Sequence, residues 1–127
     1  MRKPTFYFIW GAILVFVIAL FAGADYILHS IVPEWSVPDY YFRNKLIFGF
    51  LLSIPALFVS ARYFRSAWSR TAVFSAAITI LLQARYFIEG YPIRFIITFL
   101  FIHFAIIYIL SAAMFFITGR YSRIKLK

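Results

Sequence analysis

Long apolar stretches alternate with short polar segments along most of the chain. Residues 6–24 and 95–118 contain no charged residue, and each is close to the roughly 20 residues that a helix needs to cross a bilayer. Residues 46–61 form a shorter apolar run that aromatic residues extend on both sides, and Pro55 is expected to kink it. We predict an all-α fold, a four-helix membrane bundle with spans at about 6–31, 43–64, 69–88 and 93–118.

Hydropathy alone leaves the third stretch undecided, because its uncharged part, residues 71–84, is short enough for a re-entrant segment. Charge placement decides the question. With four spans, one side of the membrane carries nine basic residues and no acid. Basic residues concentrate on the cytoplasmic side of membrane proteins, so we predict four crossings with both termini in the cytoplasm. The cytoplasmic set is Arg2, Lys3, Arg62, Arg65, Arg70, Arg120, Arg123, Lys125 and Lys127, and the outer set is Asp25, Glu34, Asp39, Arg43, Lys45, Arg85, Glu89 and Arg94.

The segment between the first two spans, residues 32–42, is predicted to be a loop on the outer side. Pro33 and Pro38 prevent a continuous helix there. Tyr40 and Tyr41 follow directly, and such amphipathic rings favour the membrane interface. We therefore expect the loop to lie along the interface and to cap the bundle.

The start of the chain also imitates a secretory signal peptide. Arg2 and Lys3 precede an apolar run that ends at the small residues Ala22, Gly23 and Ala24. The apolar run is at the long end for such a signal, which favours a first helix that is retained.

Composition agrees with a multi-pass protein of the cell membrane. Of the 127 residues, 65% are hydrophobic and 13% are charged, whereas soluble domains are about half apolar and a quarter charged. The spans leave room for a single transmembrane domain, residues 1–127, and for no soluble catalytic domain. The net charge of +9 would suggest nucleic acid in a soluble protein. Here the basic residues flank the spans, so we predict the lipid bilayer as partner and no nucleic acid.

Asp25 and His29 are the most specific chemical feature of the sequence. They are four residues apart at the outer end of the first span, so they project from one helical face and could share a proton or a metal ion. Ionisable residues inside a membrane segment are functional candidates by default. Zinc, however, normally takes three or four protein ligands, and spacing fixes no third one.

Arg85 and Glu89 repeat this spacing near the outer end of the third span. We expect Asp25 to face Arg85 and His29 to face Glu89, with Gln83 one turn deeper as a hydrogen-bonding partner. Three interpretations stay open for this candidate site. They are a salt-bridged network that fixes helix register, a proton-relay or substrate site, and a metal site with Asp25, His29 and Glu89 as candidate ligands.

The two histidines raise the possibility of a bis-histidine haem, whose axial ligands must lie at one level. His103 is ten residues into the fourth span, about 15 Å deep at 1.5 Å per residue, while His29 lies near the outer boundary. This difference in depth argues against a haem. His103 is expected to be a neutral imidazole bonded to a neighbouring helix, and the sequence assigns no cofactor.

Ala12, Ala19 and Gly23 recur at intervals of seven and four along the first span. Such a stripe of small residues lets a second helix backbone approach closely. Packing inside the bundle and association with another subunit or a second copy are both compatible with it. The cysteine count is zero, which excludes disulfides and thiolate chemistry.

The segment Asp25-Tyr26-Ile27-Leu28-His29 and the later Pro92 resemble a pattern in small four-helix membrane proteins of bacteria and archaea, a largely uncharacterised group. In that group an Asp-aromatic-x-x-His motif ends helix one and a proline opens helix four. The resemblance implies a membrane location.

A weaker likeness links Ala22-Gly23-Ala24-Asp25-Tyr26 and Gly90-Tyr91-Pro92 to a membrane subunit of archaeal ammonia monooxygenase. An extra alanine interrupts the Ala-Gly-Asp order here, and no catalytic or copper-binding residue is carried over. The likeness implies one component of a larger membrane complex.

Three hypotheses for function follow from the sequence. The first is a small non-enzymatic membrane protein that acts as a subunit or packing partner, since no phosphate loop, HExxH motif or nucleophile elbow is present. The second is a small proton- or cation-coupled transporter or channel with an outward-facing Asp25 and His29 site. The third is a metal-dependent membrane enzyme.

Overall fold

The computed structural model describes residues 3–121, and within them the side chains other than those at positions 3, 6 and 119–121. These residues form four α-helices, each containing a stretch long and apolar enough to cross a membrane. The fold is therefore all-α and fits a multi-pass membrane protein. The helices are α1 (Lys3–Ile31), α2 (Tyr40–Tyr63), α3 (Ala67–Ile88) and α4 (Ile93–Tyr121).

Part of the predicted charge asymmetry falls outside what the structure describes. The predicted cytoplasmic position of the termini depends partly on these residues, and it stays a prediction. The residues concerned are Arg2, Arg123, Lys125 and Lys127, and the side chains of Lys3 and Arg120.

The segment before α2 is shorter than the predicted loop 32–42. A single 3₁₀ turn, Pro33–Trp35, is followed by extended backbone, and α2 begins at Tyr40 rather than at residue 43. The carbonyl of Pro38 accepts a hydrogen bond from the Tyr41 N–H, so the proline stands just before the first turn of α2, where its missing N–H costs no hydrogen bond. Tyr41 thus belongs to the helix.

The turn between α2 and α3 is held by hydrogen bonds to helix ends. Ser66 caps α3 by accepting a hydrogen bond from the Ser69 N–H, which starts the helix at Ala67, two residues before the predicted position. Arg70 donates to the carbonyls of Ala61 and Phe64, 3.1 and 2.8 Å away. These carbonyls lie at the end of α2, where a helix leaves acceptors free.

Each helix packs against its neighbour in sequence, and α4 closes the bundle by packing against α1. Short connections make consecutive helices antiparallel, which leaves α1 and α3 on a diagonal. The end of the bundle where α1 and α3 finish carries Glu34, Asp39 and Glu89 together with Arg43, Arg85 and Arg94. Because the acidic residues are all in this half of the bundle, it is called the acidic end below. The opposite end carries Arg62, Arg65 and Arg70 and is called the basic end.

The core is mostly apolar in the middle of the bundle, with some buried hydroxyl groups, and aromatic towards the acidic end. Fully buried side chains fill the middle, among them Ile18, Phe21, Phe74, Ile78 and Ile107. Many large apolar side chains point outwards instead, with Phe8 77% and Phe101 68% exposed. Such a surface suits lipid, because hydrocarbon tails are as apolar as these side chains.

The close crossing of α1 and α2 at Gly49 gives a test of this packing. A Cβ atom at Gly49 would lie 3.1 Å from Cγ2 of Ile18, so a larger side chain has to displace the Ile18 side chain. We expect Gly49→Leu to lower the free energy of unfolding by about 1–3 kcal/mol. The measurement is a titration of the detergent-solubilised protein with SDS, followed by circular dichroism.

The matched control is Gly23→Leu, since no atom of the described residues lies within 4 Å of a Cβ atom added at Gly23. We expect this variant to unfold at the SDS concentration of the wild type or above it. Equal destabilisation by the two variants would contradict the described α1–α2 crossing.

Candidate functional site

A carboxylate without solvent exposure lies at the centre of the acidic half of the bundle. Asp25 of α1 is 0% exposed. Lys45 of α2 donates a hydrogen bond to its Oδ2 atom and another, 2.6 Å long, to the hydroxyl of Tyr86 on α3. Nε2 of His103 on α4 is 2.6 Å from Oδ1. We call the following residues the Asp25 cluster: Asp25, His29, Lys45, Gln83, Tyr86 and His103.

The predicted pairing of α1 with α3 is wrong. Arg85 donates from Nε to Oε1 of Glu89 on its own helix, 3.1 Å away, and both side chains are about one-third exposed. Asp25 instead pairs with Lys45. The reason is that α1 and α3 lie on a diagonal, so the direct neighbours of α1 are α2 and α4. Glu89 is therefore not placed to share a metal ion with Asp25.

The predicted difference in depth between the two histidines is also wrong. The ring centroids of His29 and His103 are 6.2 Å apart. Cα–Cβ bonds tilt towards the N-terminus of their own helix, so side chains of the antiparallel α1 and α4 lean towards each other. Counting residues from the two helix ends ignores this tilt. A haem still does not fit, because Oδ1 of Asp25 stands between the two Nε2 atoms, where its iron would have to lie.

The backbone after α1 fixes the proton on His29. Nδ1 of His29 is hydrogen-bonded to the carbonyl oxygen of Trp35, and a carbonyl can only accept, so Nδ1 carries the hydrogen. Nε2 is then left 3.3 Å from Oδ1 of Asp25. It is buried and has no hydrogen-bond partner among the described residues. Phe99 holds the ring by stacking on it, with centroids 4.1 Å apart.

His103 is satisfied on both sides as a neutral imidazole. Its Nε2–H donates to the Asp25 carboxylate, and its Nδ1 accepts from the side-chain amide of Gln83 at 2.9 Å. The expected bond from His103 to a neighbouring helix is therefore present. Oε1 of Gln83 is left buried, with no partner in the part of the chain that the structure describes.

Aromatic side chains enclose the cluster towards the acidic end. The ring of Tyr86 has edge contacts with Tyr91 and Phe95, 5.2 and 5.3 Å between centroids. Burial raises the pKa of the Tyr91 phenol above its ordinary value, and the nearby charge of Glu89 adds to the rise. The Tyr91 hydroxyl is therefore protonated at neutral pH and places no charge over the cluster.

Three groups of the cluster resemble a metal-ligand set. Asp25, His29 and His103 are buried and offer ligand atoms that all lie within 4.8 Å of one another, and two imidazoles with a carboxylate suit iron or zinc. The 2.6 Å contact from Asp25 to His103 is shorter than the separation of about 3.3 Å between ligands of tetrahedral zinc. Lys45 also already neutralises the carboxylate. The geometry therefore favours a proton over a metal ion.

A row of polar side chains continues from the cluster along α3. Thr71, Ser75, Thr79 and Gln83 follow one another at intervals of four and are all buried. Oγ of Ser75 is 3.0 Å from that of Ser111 on α4, and Oγ1 of Thr79 has no hydrogen-bond partner among the described residues. We call Thr71, Ser75 and Thr79 the hydroxyl row. Sequence reasoning missed it, although the interval of four was visible.

Two cavities reach the cluster from different sides. One, of about 160 Å³ at the acidic end, is lined by His29 together with Ser30, Ser36 and Asp39. The other, of about 420 Å³, lies between α2 and α3 and is lined in part by Lys45, Tyr86 and Arg85. The cluster is therefore not sealed. Neither cavity lies between α1 and α3, the two helices that were expected to meet at this site.

Comparison with protein-family models, with curated proteins and with solved structures finds no match for this chain. The resemblance to small four-helix membrane proteins and the likeness to an ammonia monooxygenase subunit therefore stay predictions. Function has to be inferred from the geometry of the Asp25 cluster.

The buried ion pair gives a direct test of the site. Asp25→Asn leaves the Lys45 ammonium, 5% exposed, without its anion. Removing one partner of a buried pair costs about 3–5 kcal/mol, and we expect that loss in the free energy of unfolding, measured by SDS titration. Lys45→Met should lose a similar amount, because the carboxylate is then unpaired.

The double variant Asp25→Asn/Lys45→Met is expected to be more stable than either single variant, since it leaves no unpaired charge. Glu89→Gln serves as the control, because its partly exposed pair with Arg85 should contribute less than about 1 kcal/mol. Losses that simply add in the double variant would show that the two groups do not interact.

Proposed function

We propose that this chain is a small multi-pass membrane protein that binds and conducts protons through the Asp25 cluster, as a proton channel or a proton-coupled transporter. One observation carries the proposal. The Nδ1–H of His29 is committed to the Trp35 carbonyl, and its buried Nε2 faces the Asp25 carboxylate at 3.3 Å without a hydrogen bond. A proton on this Nε2 would turn the 3.3 Å contact with the carboxylate into a charge-assisted hydrogen bond.

The charges of the cluster support a site that takes up one proton. With both imidazoles neutral, the Asp25 carboxylate is balanced by the Lys45 ammonium. A further proton on His29 would lie next to the same carboxylate, which lowers the cost of its charge in a low-dielectric interior. The titratable and charged groups around Asp25 are His29 on α1, Lys45 on α2, Tyr86 and Arg85 on α3, and His103 on α4.

Protons reach His29 from the acidic end through the smaller cavity. Its volume of about 160 Å³ gives room for about five water molecules at their volume in the liquid. Ser30, Ser36 and Asp39 supply hydrogen-bonding groups along its wall. Water and these side chains would connect His29 to the membrane surface.

Protons leave towards the basic end along the hydroxyl row. Consecutive members are four residues apart, about 6 Å along the helix, so single water molecules are needed between them. Oε1 of Gln83 and Oγ1 of Thr79 are successive buried acceptors that lack partners among the described residues. A water between them would satisfy both groups.

The distribution of basic residues supports one direction for the proposed proton path across the membrane. If the basic end faces the cytoplasm, as basic residues generally do, His29 opens outwards and the hydroxyl row leads into the cell. We propose this orientation, with the protein in the cell membrane.

Proton flux into liposomes tests the function. Purified protein is reconstituted, a potassium diffusion potential is imposed, and a pH-sensitive dye reports acidification of the lumen. We expect the wild type to acidify the vesicles. We expect Thr79→Val, which keeps the shape of the side chain and removes one hydroxyl of the row, to lower the rate to that of protein-free vesicles.

Thr98→Val is the matched control, because the Thr98 hydroxyl bonds to the Arg94 carbonyl outside the row. It should leave the flux unchanged. Asp25→Asn/Lys45→Met should abolish flux while the helices stay folded by circular dichroism. Wild-type flux from this double variant or from Thr79→Val would overturn the proposal.

A role as subunit or packing partner is the second candidate function. The small residues Ala12, Ala19 and Gly23 are all exposed on α1, so the described bundle does not use them for its own packing. Small residues on a lipid-facing helix allow another helix to approach closely. This observation favours association with a second copy or another membrane subunit through α1.

Self-association through this stripe can be measured directly. We expect the double variant Ala12→Leu/Ala19→Leu to lower the dimer fraction, because larger side chains keep the backbones apart. The dimer fraction is measured by energy transfer between labelled copies in liposomes. Ala84→Leu, at an exposed alanine on α3, is the control and should have no effect. A wild type that stays monomeric would remove self-association.

A further inference from the structure

The larger cavity has a polar end and an apolar end. Asn44, Lys45 and Arg85 line it towards the acidic end of the bundle, where α2 begins and α3 finishes. Phe48 and Leu52, one and two turns further along α2, line it towards the middle of the bundle. The step from Asn44 to Leu52 is eight residues, about 12 Å along the helix axis. Polar and apolar walls are thus separated along the membrane normal.

The polar end carries two basic side chains, and each of them already has an acidic partner, Asp25 for Lys45 and Glu89 for Arg85. The Lys45 ammonium contacts Asp25 on the side that faces the bundle interior. Arg85 lines the same cavity, and its positive charge is close enough to repel that of Lys45. The Arg85 guanidinium lies over the ring of Tyr41, 4.3 Å from the centroid. Of its five N–H donors, one is given to Glu89. The remaining donors suit a carboxylate, which guanidinium binds in a planar, two-pronged manner.

The cavity opens towards lipid. Phe48 and Leu81 stand on facing helices at its edge and are 53% and 51% exposed. In a bilayer these side chains contact hydrocarbon. A molecule could therefore enter sideways from the membrane, with its polar group towards the surface and its chain towards the midplane, as lipids already lie.

We propose that this cavity binds a long-chain carboxylic acid, with the carboxylate at Arg85 and Asn44 and the hydrocarbon chain between Phe48 and Leu81. A volume of about 420 Å³ lies towards the lower end of the range of 300–1,000 Å³ for small-molecule sites. It suits one chain better than a phospholipid with two. The site does not depend on proton conduction, because none of its contacts requires a proton to move.

Photo-cross-linking tests the site. The protein is placed in nanodiscs of phosphatidylcholine with a long-chain carboxylate that carries a diazirine in its chain, irradiated, digested and mapped by mass spectrometry. We expect label on the parts of α2 and α3 around Phe48, Leu52 and Leu81. Oleate should compete with the probe, and methyl oleate, which has the same chain without the charge, should not.

Two variants remove the site by independent routes. Arg85→Gln removes the charge, and we expect about a tenfold loss of label at a low probe concentration. Leu81→Trp fills the cavity while leaving every charge in place, and it should lower labelling equally. Arg94→Gln, at an exposed residue outside the cavity, is the control and should label as the wild type does.

Three outcomes would overturn the proposal. Competition by methyl oleate as strong as by oleate would show that lipid fills the cavity without recognition of its head. Competition by phosphatidate and not by oleate would make the occupant a phospholipid. Unchanged labelling in Leu81→Trp, with the fold intact by circular dichroism, would place the probe elsewhere.

Discussion

The structure depends on keeping one ionised carboxylate inside an apolar bundle. An unpaired charge at the depth of Asp25 would strongly destabilise the folded protein. Side chains from the other three helices compensate it directly or indirectly. Lys45 of α2 supplies the opposite charge, and His103 of α4 donates a further hydrogen bond. Tyr86 and Gln83 of α3 hold these two groups in turn. The position and rotation of all four helices are therefore tied to one side chain. The described helices have few other polar contacts with one another, so this cluster sets how the helices are aligned along and around their axes.

The helices themselves could be predicted from sequence. Apolar runs marked three spans, the distribution of basic residues supplied the remaining one, and the structure has four helices long and apolar enough to cross a membrane. The starts of α2 and α3 differed from expectation for local reasons that hydropathy does not see, namely the turn that Pro38 allows and the cap that Ser66 provides. Both depend on single hydrogen bonds at helix ends, and a count of apolar residues contains no information about such bonds.

The site was only half predictable, for a physical reason. Asp25 and His29 are neighbours by helical spacing, so the sequence brings them together wherever the helix lies. Lys45 and His103 reach them across the bundle, from 20 and 78 residues away. Such contacts depend on which helices are adjacent and on the lean of side chains in antiparallel pairs. Arg85 and Glu89 share the spacing of Asp25 and His29, but α3 is diagonal to α1, so the same local pattern produced a separate surface pair.

Lys45 belongs to both proposed sites, as does Tyr86, to which it donates a hydrogen bond, so the two sites influence each other. Its ammonium balances Asp25 on one side, and its side chain lines the cavity between α2 and α3 on the other. A carboxylate bound in that cavity adds a negative charge near the ammonium, which weakens its hold on Asp25. A proton taken up by the Asp25 cluster would restore neutrality in an environment where excess charge is costly. Thermodynamic linkage makes the effect reciprocal, so that a protonated cluster would bind the acid more tightly by the same factor. Coupling of this kind is what a transporter needs in order to move an acid together with a proton, and in this bundle the Lys45 ammonium would carry it.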